Sequence, residues 1–149
     1  MKFFLFVLGG IMRSEKEILE QSQIIAVVGA TSKEKRPGNI APNFLINCGY
    51  TIIPVNPMEE SVHGIPCVPD LDSITQEIDI VSVFRRSDAV PEITEAAIRK
   101  NASAVWMQEG VEHEESASKL LDNNIDVISN RCIHCAINDH FPDGLKKEK

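Results

Sequence analysis

The chain has 149 residues, of which 43% are hydrophobic and 25% charged, and its formal net charge is -7. That length suits one domain able to bury a core without disulfides or metals. The acidic balance argues against a general nucleic-acid binder, and 5% aromatic residues leave little for a base-stacking platform.

Lys2 followed by Phe3 to Leu8 has the look of a very short signal-peptide core, but no A-x-A-like cleavage pattern follows. The run is also too short to span a bilayer, so no membrane association is expected. Residues 1–13 are therefore read as a disordered or over-extended start, residues 14–142 as the folded domain, and residues 143–149 as a polar tail. A cytoplasmic location goes with that reading.

Ser14 is suited to cap a short helix, with Glu17 completing a capping box, Ile18 and Leu19 as apolar contacts and an end near Gln21. The apolar run Ile24 to Val28 then stops abruptly at Gly29, Ala30, Thr31 and Ser32. It reads as a buried parallel strand feeding a tight βα loop. Such a loop leaves backbone N–H groups free at the next helix's N-terminus, where an anion is favoured. Thr31 and Ser32 add hydroxyls, and Lys33, Lys35 and Arg36 add three cations. The pattern points to a phosphorylated ligand. A helix is expected from about Asn39 or Ile40 to Asn47, with Gly49 as its C-terminal cap.

Thr51 to Val55 reads as the second strand, ending at Asn56-Pro57, followed by a loop and a short edge strand at Pro66 to Val68. Ile78 to Phe84 is a β-branched strand, and Pro91 to Lys100 a helix entered through Ser87 or Asp88. Ala104 to Gln108 is the next strand, Glu112 to Asn123 a helix, and Asp126 to Ser129 the final strand. This alternation indicates a single doubly wound α/β domain with a mostly parallel sheet of about five strands. Right-handed crossovers put every strand's carboxyl end on one edge, where ligands bind near the switch in strand order.

The residues gathered at that edge are Gly29-Ala30-Thr31, Asn56-Pro57, Phe84-Arg85-Arg86, Gln108-Glu109-Gly110 and Asn130-Arg131-Cys132. Cations outnumber carboxylates there. On a continuing strand alternate residues point oppositely, so only one of the two arginines faces the ligand, and Arg85 is taken. Trp106 sits within an apolar strand and reads as core. A nicotinamide dinucleotide fingerprint would need glycine where Thr31 and Glu34 stand, and a carboxylate where the second strand ends in Asn56. A nucleotide with a phosphorylated ribose, of the NADP type, suits that turn better than NAD. A Walker-type loop is absent from the sequence.

These residues together resemble the stand-alone CoA-binding domain family, a Rossmann-type family related to the N-terminal domain of succinyl-CoA synthetase alpha subunits. The matching stretches are VVGATSKEKRPGN (Val27 to Asn39), GYTIIPVNP (Gly49 to Pro57), VFRRSDAVPEI (Val83 to Ile93), VWMQEGV (Val105 to Val111) and SNRCI (Ser129 to Ile133). The resemblance implies binding of coenzyme A or an acyl-CoA in a Rossmann-like crevice. It puts the diphosphate on Gly29, Ala30 and Thr31, with Arg36 near phosphate or the adenosine end. Asn56 and Pro57 then border adenine and ribose, while Phe84, Arg85 and Gln108 line the ligand's path. Two departures stand out: Gly38 replaces a serine common in relatives, and Cys135-Ala136-Ile137 stands where relatives often carry a glutamate.

Cys48, Cys67, Cys132 and Cys135 are unevenly spaced, which favours free or metal-bound thiols over a disulfide framework. Cys132-x-x-Cys135, with His134 and His140 nearby, has the spacing of half a zinc site or of a redox pair, although ordinary packing explains it as well. A reversible disulfide there, or a mixed disulfide with CoA, is chemically feasible for an exposed cysteine of lowered pKa. The edge set contains no paired carboxylates and no Ser-His-Asp arrangement, so the sequence favours a non-catalytic CoA-binding module over a complete enzyme. A partner-dependent acyl-CoA ligase component, an NADP-type binder and a cysteine-based redox or metal protein remain alternatives. Homo-oligomerisation or a ligase partner subunit stays open.

Overall fold

In the computed structural model, which describes residues 6–7 and 10–148, two short strands, β1 (Phe6–Val7) and β2 (Gly10–Ile11), pair antiparallel ahead of the domain. Most of the start read as disordered or over-extended lies outside the described residues. The sheet that organises the domain is parallel and contains β3 (Ile24–Val28), β4 (Thr51–Val55), β7 (Ile80–Val83), β8 (Ala104–Met107) and β9 (Asp126–Ile128). Its spatial order is β4-β3-β7-β8-β9, so the chain reverses direction of travel between β3 and β7. The doubly wound, Rossmann-like α/β fold expected from the sequence is the observed one.

The strands are apolar almost throughout because both faces of the sheet are covered. Alternate residues go to opposite cores. Ala26, Val28, Val81, Val83, Val105 and Met107 pack on one face against helices α3 (Val90–Arg99) and α4 (Glu114–Asp122). Ile25, Val27, Ile80, Ala104 and Trp106 pack on the other with α1 (Glu15–Gln21), α2 (Pro37–Asn47) and α5 (Ile133–His140). Each fully buried branched side chain contributes about 1.5–3 kcal/mol. Trp106 is a core residue, and its indole N–H donates to the Arg131 carbonyl at 2.8 Å.

Local rules explain the element ends. Ser14 and Glu17 form the expected capping box on α1. Helix α2 begins two residues before the expected start because Pro37 takes its first turn, where the missing N–H and fixed φ are favourable. It ends in a Schellman motif: Gly49, at φ 99°, donates to the Ile46 carbonyl, and the Tyr50 N–H reaches Leu45. The strand at Ile80–Val83 is shorter than expected, since the Asp79 carboxylate accepts from the Gln23 and Ile24 N–H groups at the sheet margin. In place of one edge strand, β5 (Ser61–Val62) and β6 (Ile65–Pro66) form a hairpin, and Val68 bridges to Val55. Helix α5 was not anticipated; its buried Ile133, Ala136 and Ile137 have helical spacing, but the run is only eight residues and begins at a cysteine.

The termini of the domain are tied down. Arg13 Nε pairs with Asp126 at 2.6 Å. The Lys147 backbone N–H donates to the Cys48 carbonyl, and its ammonium donates to the Glu20 carbonyl, each at 2.7 Å. Among the described residues, no helix is long and apolar enough to cross a membrane.

Candidate functional site

The corner after β3 is built by close backbone approach. Gly29 has φ 94°, and a Cβ there would lie 2.4 Å from the Phe84 carbonyl oxygen. Gly38, in the first turn of α2, leaves only enough room for a Cα: a Cβ would stand 2.5 Å from the Gly29 carbonyl oxygen. Two backbone bonds close the corner, Gly29 N–H to Val55 O at 3.0 Å and Thr31 N–H to Gly38 O at 3.1 Å. Gly38 is therefore what lets the helix rest on the corner.

Three adjoining cavities of about 470, 500 and 540 Å³ run along the carboxyl edge of the sheet. The first and second share Gly29, Asn56 and Arg85. The second and third share Pro37, Phe84, Gln108 and Glu109. They form one trough crossing the β3/β7 switch point, where an open α/β sheet receives ligands.

The middle of the trough is cationic. Lys33, Arg36, Arg85 and Arg86 line it, and Glu109 is the one carboxylate among the described lining residues. None of those four cations forms an ion pair among the described residues. In a chain of net charge -7, these four cations around a glycine corner form a local anion-attracting field, offset near Lys33 by the Glu59 carboxylate of the same loop. The choice between Arg85 and Arg86 lapses, because β7 ends at Val83 and strand alternation no longer governs them.

Several polar side chains at the edge hold the protein rather than face an empty space. Asn56 Nδ2 donates to the Ala30 carbonyl at 2.8 Å and its Oδ1 accepts from the Met58 N–H at 2.8 Å. Buried Gln108 donates to Ser82 Oγ at 2.9 Å and accepts from the Ile133 N–H at 3.0 Å, fixing the start of α5. Glu59 was missed in the sequence and lies at the heart of the corner loop. Its carboxylate accepts from the Ser32 N–H at 2.9 Å and from the Ser32 and Thr31 hydroxyls at 2.8 Å each. The Ser32 backbone bond, followed by those two hydroxyls, holds the Glu59 carboxyl below the usual carboxylate range. No local signal marked it, since its partners lie 27 and 28 residues earlier.

The far end of the trough is apolar. Pro37, Ile40, Ala41, Phe84, Cys132 and His134 line it, and the His134 ring stacks on Phe44 with centroids 3.6 Å apart. Cys132 is the N-cap of α5, its sulfur accepting from the Cys135 N–H at 3.2 Å. All four cysteines are free thiols, with Cys48 buried away from this end. Among the described residues, no three His, Cys, Asp or Glu side chains group as ligands for a metal ion.

Residues 23–138 match the model of the CoA binding domain. The chain belongs to that family. It is 38% identical over 121 residues to "Uncharacterized protein YneT" of Bacillus subtilis, an overlap of 81% of this chain and 90% of that protein. Over 112 residues it is 28% identical to "Acetate--CoA ligase [ADP-forming] I" of Archaeoglobus fulgidus, covering 71% of this chain but 16% of the ligase. The solved structure of cell-free ID.343 from Thermus thermophilus superposes with a TM-score of 0.82 at 29% identity, over 87% of this chain and all of that one.

Within this CoA-binding domain, eight of the nine residues expected at the site line the trough: Gly29, Asn56, Pro57, Arg85, Thr31, Arg36, Phe84 and Gln108. The ninth, Ala30, is fully buried beneath the corner and contributes its carbonyl to Asn56. Lys33 and Arg86 add charge to the middle cavity, and Pro37, Ile40 and Cys132 form walls of the apolar one.

Proposed function

We propose that this domain binds coenzyme A or an acyl-CoA along the trough, as a binding module without acyl-transfer machinery of its own. The observation that carries the reading is the sequence of environments along one groove. A four-cation middle around the Gly29 corner suits a diphosphate. The end bordered by Asn56 and Pro57 suits adenine and ribose; Arg85 lines it, and Arg99 there is paired with Asp72. The apolar end suits a pantetheine arm or a short acyl group. Family membership supports the same ligand. Buried Gln108 is held between Ser82 and the start of α5.

Calorimetry of the purified protein against CoA, dephospho-CoA, NADP and NAD tests the reading. CoA binds tightest if it is right, and preferential NADP binding overturns it. The Arg36→Ala/Arg85→Ala variant loses about 100-fold in CoA affinity, from about 1.4 kcal/mol per charge-assisted contact. An undiminished affinity in that variant would remove the cationic corner from the binding account.

One observation favours a second reading, a partner-dependent component of an acyl-CoA ligase: the match to a segment of an ADP-forming ligase. Affinity purification that recovers the protein alone, with no turnover of acyl-CoA, would set that reading aside.

A further inference from the structure

Cys132 lines the apolar cavity as the N-cap of α5, and Cys135, in the first turn, is exposed and does not line it. The Cys135 N–H points at the Cys132 sulfur at 3.2 Å, so negative charge passing through that sulfur meets a donor already in place. The cavity that Cys132 lines is continuous with the cationic middle through Pro37, Phe84, Gln108 and Glu109. A ligand with its diphosphate at the Gly29 corner and its arm along Phe84 thus delivers its terminal sulfur to the cavity lined by Cys132.

We propose that Cys132 and Cys135 form a redox-active dithiol that reduces a disulfide of CoA held in the trough. The proposal rests on the CoA reading above. The Cys132 thiolate attacks the sulfur bearing CoA; a Cys132–S–S–CoA bond forms and the other half of the disulfide leaves as a thiolate, protonated by water. Cys135 then gives its proton to solvent and attacks the Cys132 sulfur. The bond to the CoA sulfur breaks, and CoA leaves as a thiolate that takes up a proton. The ligand disulfide has gained two electrons and two protons, and the protein dithiol has become a Cys132–Cys135 disulfide. A thiol reductant, dithiothreitol in the assay, resets it.

The geometry suits these roles. Cys132 is the extended N-cap of α5 and Cys135 lies in its first turn, with its N–H on the Cys132 sulfur. A disulfide between them brings their Cβ atoms to about 3.5–4.5 Å. The Cys135 thiol is pushed up from its ordinary value, first by its hydrogen bond to Cys132, then by burial and the nearby charges of Cys132 and Glu109, against the opposing Arg131.

The test uses the reduced full-length protein with CoA disulfide or oxidised glutathione, following thiol loss and CoA release. The wild type loses two thiols per CoA disulfide consumed, about 10-fold faster or more than with oxidised glutathione, since the cationic groove concentrates the CoA disulfide. Cys135→Ser stops at a one-to-one CoA adduct, which peptide mass mapping locates at Cys132. Cys132→Ser forms none, while serine retains the helix cap. Calorimetry of the reduced wild type with CoA separates the two ideas. CoA binding without thiol loss overturns the dithiol alone. Absent CoA binding, with equal rates for both disulfides, overturns the CoA reading and this proposal with it. An adduct mapping to Cys67 or Cys48 in place of Cys132 also overturns the proposal.

Discussion

At the glycine corner, backbone atoms approach within distances that exclude any side chain, and four cation head groups stand without ion pairs among the described residues. At the Cys132 end the walls are apolar, and the buried amide of Gln108 is committed to protein groups on both sides. On the proposed reading, the first region selects by charge and by the absence of atoms, and the second by shape and thiol chemistry. Changes at the corner should therefore act on folding and on the anion together. Changes at the far end should act on the arm of the ligand and leave its phosphates alone.

The sharpest way to break that contrast is Gly29→Ala. The residue must hold φ 94° while its methyl lies 2.4 Å from the Phe84 carbonyl oxygen, so β3, β7 and the loop all have to shift. A loss of about 2–4 kcal/mol in urea denaturation is expected, from strain at positive φ together with overpacking. CoA binding should vanish even where the variant is still folded. A stable variant with intact binding would mean that the corner is not the anion seat.

The corner was the most legible part of the sequence because its cause is local: an apolar run cut off by glycine, small hydroxyl residues and cations, all within Ile24 to Arg36. The parallel, doubly wound sheet followed from the alternation of strands with helices, since strands buried on both faces leave a strong apolar signal. What escaped depended on contacts between distant segments. Glu59 reaches Thr31 and Ser32 from beyond β4, and no local rule marks an acid after a turn as an acceptor for that loop. Helix α5 escaped because its short run starts at Cys132, and Gln108, 25 residues earlier, supplies a buried partner for its first N–H. Arg86 was set aside by an alternation rule that holds only while a strand continues, and β7 stops three residues before it.

A smaller effect is expected at the far end. Gln108→Leu leaves the Ile133 N–H and the Ser82 hydroxyl without their partner in a buried site. The expected destabilisation is about 1–3 kcal/mol in urea denaturation. Loosening the start of α5 also displaces Cys132 and His134 from the apolar wall. CoA affinity should fall about 5-fold, roughly one lost neutral hydrogen bond, while affinity for ADP, which shares the diphosphate but lacks the arm, stays level. Equal losses for both ligands would show that the two ends of the trough are not separable.

The smallest effect belongs to Glu59, which orders the corner loop without forming its space. Its carboxyl is held below the ordinary carboxylate value, first by the Ser32 N–H and then by the Ser32 and Thr31 hydroxyls. A carboxyl lowered in the folded state adds stability above its unfolded value, and that contribution is lost as the pH falls through the folded value. Loop order should therefore be insensitive to pH at neutrality and decline only in acid, below the usual carboxylate range. Glu59→Gln removes the charge at every pH. The protection factor of the Ser32 amide should be lower in this variant at neutral pH, and acidification, which lowers it in the wild type, should leave it unchanged in the variant. The global unfolding midpoint should not move, because the Gly29–Val55 and Thr31–Gly38 backbone bonds keep the corner closed without the carboxylate. Unchanged Ser32 exchange in Glu59→Gln would leave the loop's order to those backbone bonds alone.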